Sequence, residues 1–283
     1  MLMPSIIIVV FITIYVIINT LKESLGIIPE LFLNKLTFSY YIELINNHIF
    51  FKSLIYSFYI ALVSTILSTI SGTYLGYAVS KSKGILFNII YRFPILLSYI
   101  AAASLIYSTY SDKGFLYHIF LILGIKIDFN IIYNASGIAV ILLNMFKGIP
   151  FIAFSVCPIF MKTEASYKET AKNLGCSNIM YIIKVLLPMS KQSVITSFLI
   201  IFNYNLFTYE GFYFLGPSNP VSIGILAYQT YINPDMTSRA LGMSINMVMI
   251  ILSLILCTLY YNIIKNNYHN KIEDTVNEYE SIE

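Results

Sequence analysis

Lys147 is the one charged residue between Asp128 and Lys162, in the run Asn144-Met145-Phe146-Lys147-Gly148-Ile149-Pro150. A charge inside an apolar run is costly in lipid and marks a solute or ion pathway by default. The other reading is a lysine that snorkels to an interface along its aliphatic stem. Glu210 follows in Phe207-Thr208-Tyr209-Glu210-Gly211. If one helix continues through Leu215, Glu210 lies inside it, where it and Tyr209 can line a pathway or Glu210 can pair with Lys147. Otherwise Glu210 is an exposed charge at the outer boundary. A carboxylate among 24 tyrosines suits a cationic solute, held by ion pairing and cation–π contact. Other chemistry is poorly served. Cys157, Cys176, Cys257, His48, His118 and His269 are scattered, with neither a CxxC pair nor metal-ligand spacing. No carboxylate dyad or nucleophile constellation points to an enzyme. No GxxxxGK[ST] run is present, so the chain is not itself an ATPase of the P-loop kind. A net charge of +3 without a basic stripe argues against nucleic acid.

The elements that must hold these residues are membrane spans. Hydrophobic residues make up 58% and charged residues 11% of the 283, against about 25% charged in soluble domains. No charge occurs within 1–21, between Lys52 and Lys81, between Arg92 and Asp112, between Lys191 and Glu210, or between Arg239 and Lys265. Roughly 20 apolar residues cross the hydrocarbon core. The expected fold is therefore an all-α polytopic bundle of about six spans, at 3–21, 54–79, 87–110, 135–160, 193–214 and 241–264. Helices are expected because they satisfy their own backbone in lipid and the alternation of a barrel strand is missing. The first apolar run has no basic region before it and no small-x-small site after it, so it reads as a retained span rather than a cleaved signal. Arg92 is expected to anchor the third span near an interface.

The chain reads as a single domain over 1–283. A first span and external segment occupy 1–50, a five-span core 51–264, and a tail 265–283. The acidic tail, with Glu273, Asp274, Glu278, Glu280 and Glu283, is expected to be a frayed, solvated end. Two shorter runs, Phe115–Ile125 and Val221–Ile232, cannot cross unaided. The first is expected at the outer interface. The second follows the turn signal Gly216-Pro217-Ser218-Asn219-Pro220 and is expected to re-enter or to pack on the bundle. Ser68, Gly72, Gly76 and Ser80 recur every four residues and are expected to let helices approach closely. Segments 80–84, 161–191 and 265–283 hold nine basic residues in 55 positions, against six in 78 on the other side. The denser side, with both termini, is expected to be cytoplasmic.

One polar segment, 161–192, lies between spans. Tyr167, Ala171 and Leu174 repeat at i, i+4, i+7, and Ile179, Ile182, Ile183 and Leu186 at i, i+3, i+4, i+7. Gly175 between them can take the left-handed conformation that ends a helix, and Ser177 can cap the next. Pro188 is expected to break the second helix before the fifth span. A helix–turn–helix elbow along the membrane surface follows, its first helix too short to be stable alone. It is either a structured connector or a docking surface for a partner.

Glu169-Thr170-Ala171, Gly175 six residues after the glutamate, Val185 ten after the glycine, and Leu187-Pro188 resemble the EAA loop. That loop typifies permease subunits of binding-protein-dependent ABC importers, with a MetI-like transmembrane domain. Thr170 and Val185 depart mildly from the usual alanine and isoleucine. The wider resemblance runs from about residue 55 to 260. It implies a coupling helix that docks on a cytoplasmic ATPase dimer, with Tyr167, Glu169, Thr170, Ala171, Lys172, Gly175, Leu187 and Pro188 forming that loop. Glu169 and Lys172 would be polar docking contacts, Ala171 would allow close approach, and Gly175 would set the elbow angle. It implies no cofactor on this chain, with ATP and Mg on the ATPase. It also implies a second permease subunit, identical or paralogous, an extracytoplasmic solute-binding protein, and a bacterial inner membrane. Phe207–Met243 is more loosely similar to permeases of polyamine-type importers. The alternative is a secondary transporter, which predicts broken helices in matching halves; no convincing internal repeat supports it.

Overall fold

The computed structural model describes residues 3–29, 33–34, 36–82, 84–125, 131–235 and 237–280, with side chains through Asn262 and at Lys265 apart from a few positions. Long apolar stretches form long helices because nothing interrupts them. From His48 to Lys81 there is no proline, and Asn47 caps the start by accepting from Ile49 N at 2.9 Å; these residues form α3. Preceding it are α1 (Met3–Ser24), a two-residue antiparallel pair, β1 (Ile27–Ile28) with β2 (Leu33–Asn34), and α2 (Ser39–Asn46). After α3 come α4 (Ile85–Ile90), α5 (Phe93–Leu96), α6 (Tyr99–Tyr110) and α7 (Phe115–Ile122). Then follow α8 (Ile138–Asn173), α9 (Asn178–Tyr181), a π turn (Ile182–Leu186) and α10 (Leu187–Phe207). The chain ends with α11 (Glu210–Leu215), α12 (Ile223–Tyr231) and α13 (Ser238–Glu280).

The small-residue stripe of α3 packs on α8. A Cβ on Gly72 would lie 2.8 Å from the Ile149 carbonyl oxygen and 2.8 Å from Ile152 Cβ, and one on Gly76 would lie 3.2 Å from Ala153 O. Gly137 sits against Tyr56 and Ile60, and Gly148 against Ser68. The contact positions rise together along both helices, so α3 and α8 run parallel. A parallel pair requires the chain to recross the bundle between them, and α4–α7 make that crossing.

That third span is not the single helix expected over 87–110. It bends by 104° between Phe87–Leu96 and Tyr99–Ile122. Leu97 and Ser98 are extended, and Ser98 caps α6 by accepting from Ala101 N at 3.2 Å. A serine cap stabilises a fresh helix start, so the chain stops and begins again. The fifth span also differs. It is helical from Asn178 to Phe207, breaks where Thr208 turns extended, and restarts at Glu210. Among the described residues there are five long apolar helices, or six crossings with the bent pair.

Cross-links between helices give the directions. Ser193 and Ser155 share a hydroxyl contact of 2.7 Å while Asn205 Nδ2 reaches Ser64 Oγ at 3.1 Å, so α10 opposes α3 and α8. Tyr260 donates to Thr196 at 3.0 Å and Asn203 to Ser253 at 3.0 Å, so α13 opposes α10. Arg239 grips Glu23 through Nε (3.1 Å) and Nη2 (3.3 Å), tying the far end of α1 to the start of α13. The Met3 end of α1 and the Glu280 end of α13 therefore lie on the side of the 161–192 elbow. The tail continues α13 as helix to Glu280 rather than fraying, since no proline or glycine follows Gly242. The side chains of Glu273, Asp274, Glu278 and Glu280, and all of Glu283, lie outside the described residues. The Phe115 run forms α7 beyond the outer end of α6, and α12 packs on α3 and α13.

Candidate functional site

At the elbow, α8 does not stop at the end of its apolar run. At about 1.5 Å per residue, its 36 residues exceed the roughly 30 Å hydrocarbon core by several turns. Tyr167, Glu169, Thr170, Ala171 and Lys172 lie on these last turns. The separate first helix expected there is instead the projecting end of the fourth span, which removes the difficulty of its being too short to stand alone. The helix closes with two bonds of a glycine stop: Cys176 N to Ala171 O at 3.0 Å and Gly175 N to Lys172 O at 2.9 Å. Gly175 has φ +77°, with open space where a Cβ would point. This is the left-handed cap that glycine adopts without a steric penalty. Ser177 then accepts from Met180 N at 3.3 Å and starts the second arm.

Pro188 does not break that arm. The π turn over Ile182–Leu186, with Leu187 N bonding back to Ile182 O, widens the helix just before the proline. The wider turn relieves the clash between a proline ring and the preceding carbonyl, so the arm runs on into α10. The same widening redistributes the apolar face. Tyr181 and Leu186 are buried and Ile182 is half-buried, while Ile179 and Ile183 face outward. Ala171, Cys176, Ile182 and Val185 pack on a core of Ile152, Val156, Phe160, Tyr181 and Leu186. Ala171 thus fixes the elbow to its own bundle rather than presenting a small outer surface. What faces outward is Leu174 (83% exposed), Ile179 (71%), Ile183 and Tyr167, together with Glu169, Thr170, Lys172, Leu187 and Pro188. Four exposed apolar side chains on a rigid projection form the kind of patch that marks a protein contact.

The second site is at mid-bundle. Lys147 neither snorkels nor meets Glu210. Its Nζ donates to the carbonyls of Pro94 (2.8 Å), Ile95 (3.3 Å) and Leu97 (2.6 Å). These carbonyls end α5, where helix bonding is lost and the dipole is negative. The ammonium therefore caps the break in the third span. Beside it, Tyr99 donates to Asn144 Oδ1, Asn144 Nδ2 reaches Ser64 Oγ at 3.4 Å, and Asn205 Nδ2 reaches Thr65 Oγ1 at 3.2 Å. A cavity of about 200 Å³ opens here, lined by Asn144, Lys147, Phe151, Tyr204 and Asn205 among others. Asn144, Tyr99, Asn205 and Ser64 were not singled out in the sequence. Polar residues recurring inside spans were the available signal, and charge alone drew attention away from them.

Glu210 opens α11 toward the outer end, half-buried, and accepts from Thr208 Oγ1 at 3.4 Å. Tyr209 beside it packs on Tyr228 (ring centroids 4.8 Å apart) and Tyr213 (5.2 Å). Arg92 lies over the rings of Tyr91 (5.4 Å) and Phe154 (5.1 Å) at the elbow-side end of the third span. Among the described residues no three metal-ligating side chains cluster.

Residues 64–273 match the family described as binding-protein-dependent transport system inner membrane component. The sulfate transport system permease protein CysT of Salmonella typhimurium is 23% identical over 177 residues, which cover 62% of each chain. A probable sulfate permease of Chlorokybus atmophyticus is 26% identical over 110 residues, 39% of this chain and 36% of that one. The chain thus spans between about a third and two thirds of these curated relatives. Among solved structures, a bacterial ABC transporter involved in import of the acidic polysaccharide alginate matches with TM-score 0.73 at 15% identity, covering 93% of this chain and 94% of that one. A bacterial alginate ABC transporter in complex with its alginate pentasaccharide-bound periplasmic protein matches with TM-score 0.76 at 14% identity, covering 92% and 91%. These structures share the fold. The polyamine-type likeness of Phe207–Met243 finds no support among these relatives.

Proposed function

The chain belongs to the family of binding-protein-dependent transport system inner membrane components, and on that premise we propose that it is the permease subunit of an ATP-driven importer. It moves a small polar solute delivered by an extracytoplasmic binding protein. It pairs with a second permease subunit, identical or paralogous, and docks on two copies of a separate ATPase chain that binds ATP and Mg. The denser basic segments favour a cytoplasmic side for the elbow and both termini.

The observation that carries this reading is the elbow. Ala171, Cys176 and Leu186 bind it to the core, while Leu174, Ile179, Ile183 and Tyr167 stand outward beside Glu169 and Lys172. A coupling element must be stiff toward its own bundle and apolar toward its partner, because motion passes only through packed contacts. The solute pathway follows the face that holds Lys147, Tyr204 and Asn205 and ends at Tyr209 and Glu210. Lys147 serves it by holding the broken span in place.

The test is co-expression with candidate ABC ATPase subunits from the same genome. Native protein retains the ATPase through purification. Gly175→Trp inserts normally and loses it, because it forces a bulky residue into the left-handed cap. Undiminished retention would sink the assignment of the elbow, and retention of no ATPase by the native chain would favour a gradient-driven transporter.

A further inference from the structure

A second cavity, of about 530 Å³, lies between α3, the elbow core and α10. Its walls are Thr69, Ile70, Thr73, Tyr74 and Tyr77 on one side and Leu187, Val194 and Ile195 on the other, with Phe160 and Ile182 at the back. It opens on the periphery of the bundle: Tyr74 on its rim is 74% exposed. The hydroxyl of Thr69 is already donated to Thr65 O at 2.7 Å. The walls therefore offer an apolar trough with little unmet hydrogen bonding.

Charge appears at one end only. Lys191 lines the cavity. Lys81 Nζ contacts the Tyr77 hydroxyl and lies 4.1 Å from the Tyr77 ring centroid. Both lysines are exposed, both sit toward the elbow, and no carboxylate is among the lining residues. From Thr69 to Lys81 the helix rises about 18 Å, close to the depth of one leaflet of a roughly 30 Å core.

We propose that this groove binds an anionic phospholipid of the elbow-side leaflet. One acyl chain lies along Thr69–Tyr77 against Val194 and Ile195, and the phosphate is held by Lys81 and Lys191. Two ammonium groups at a membrane surface attract an anionic headgroup, and basic pockets between spans are a recurring form of such sites. A zwitterionic lipid fills the same trough without the electrostatic gain. Ile182 and Leu187 of the elbow line this groove too, but lipid binding here does not rest on the elbow's coupling role.

The purified full chain in detergent is titrated with phosphatidylglycerol or phosphatidylcholine of matched acyl chains, and bound lipid is counted by native mass spectrometry. Phosphatidylglycerol is expected to be retained roughly tenfold or more over phosphatidylcholine, from two surface lysines. Lys81→Gln with Lys191→Gln reduces that preference to parity, whereas Lys162→Gln leaves it. Thr73→Trp, which fills the trough, lowers occupancy by both lipids. Equal retention of the two lipids by the native chain would overturn the proposal, as would a preference unchanged in the double variant. Efficient cross-linking of two chains through Tyr74→Cys would also overturn it, by placing a second copy in the groove.

Discussion

Replacing Lys147 with methionine tests the role of this half-buried charge most directly. Methionine has nearly the same length and fills the same space, but it cannot donate. The Nζ now serves three carbonyls, of Pro94, Ile95 and Leu97, at 2.6 to 3.3 Å. Hydrogen bonds to charged groups contribute about 1.5–3 kcal/mol each, and an unsatisfied buried acceptor costs about 1–3 kcal/mol. The three carbonyls are half-buried and can find other donors in part, and the lysine no longer has to be desolvated. The net loss is about 2–4 kcal/mol. That corresponds to roughly a 30- to 1000-fold shift toward a state in which the break opens. The assay is maleimide labelling of Ser98→Cys in a background lacking Cys157, Cys176 and Cys257, together with thermal unfolding in detergent. Lys147→Met is expected to label faster and to melt lower, and Lys147→Glu, which sets a carboxylate against carbonyls, to do both more severely. If Lys147→Met matched the native chain in labelling and melting, the ammonium would not be holding the break, and Lys147 would return to being a candidate solute contact.

Gly175→Ala adds a Cβ into open space, so its cost is backbone strain alone, about 1–2 kcal/mol; ATPase retention should fall for alanine and less for Gly175→Asn, and equal retention by all three would show that the left-handed cap is not needed. Gly72→Ala places a Cβ 2.8 Å from Ile149 O and should lower stability by about 1–3 kcal/mol through overpacking, with Gly76→Ala milder; thermal unfolding of the two variants reads the difference. Glu210→Gln should lower solute uptake in proteoliposomes while ATPase retention stays native, and wild-type uptake would remove Glu210 from the pathway.

Much of the elbow was legible in the chain because it is local. Gly175, Ser177 and the spacing from Glu169 to Pro188 act on their neighbours within two turns, so caps and stops could be read directly. The role of Pro188 was not, because the π turn that accommodates it is a backbone choice made by packing on Phe160 and Tyr181. Periodicity groups Ala171 with Tyr167 and Leu174, and the resemblance implies a close-approach contact for it; periodicity says which residues share a face but not what that face meets, and Ala171 packs on the elbow core. Lys147 stands out in the sequence as a charge within an apolar run, yet its partners lie more than 49 residues away, in a break whose local signals are Pro94 and Ser98.

The sequence by itself determined that this chain crosses a membrane about six times and that one polar elbow carries its most specific pattern. Hydrocarbon thickness and backbone hydrogen bonding impose those outcomes on any charge-free run of sufficient length. Only the tertiary structure decided that α3 and α8 run parallel, that the third span, which recrosses between them, is broken, and that Lys147 closes that break. Those facts depend on which helices meet. That choice rests on shape, on Gly72 and Gly76 admitting Ile149 and Ala153, and on distant carbonyls brought within reach of one ammonium.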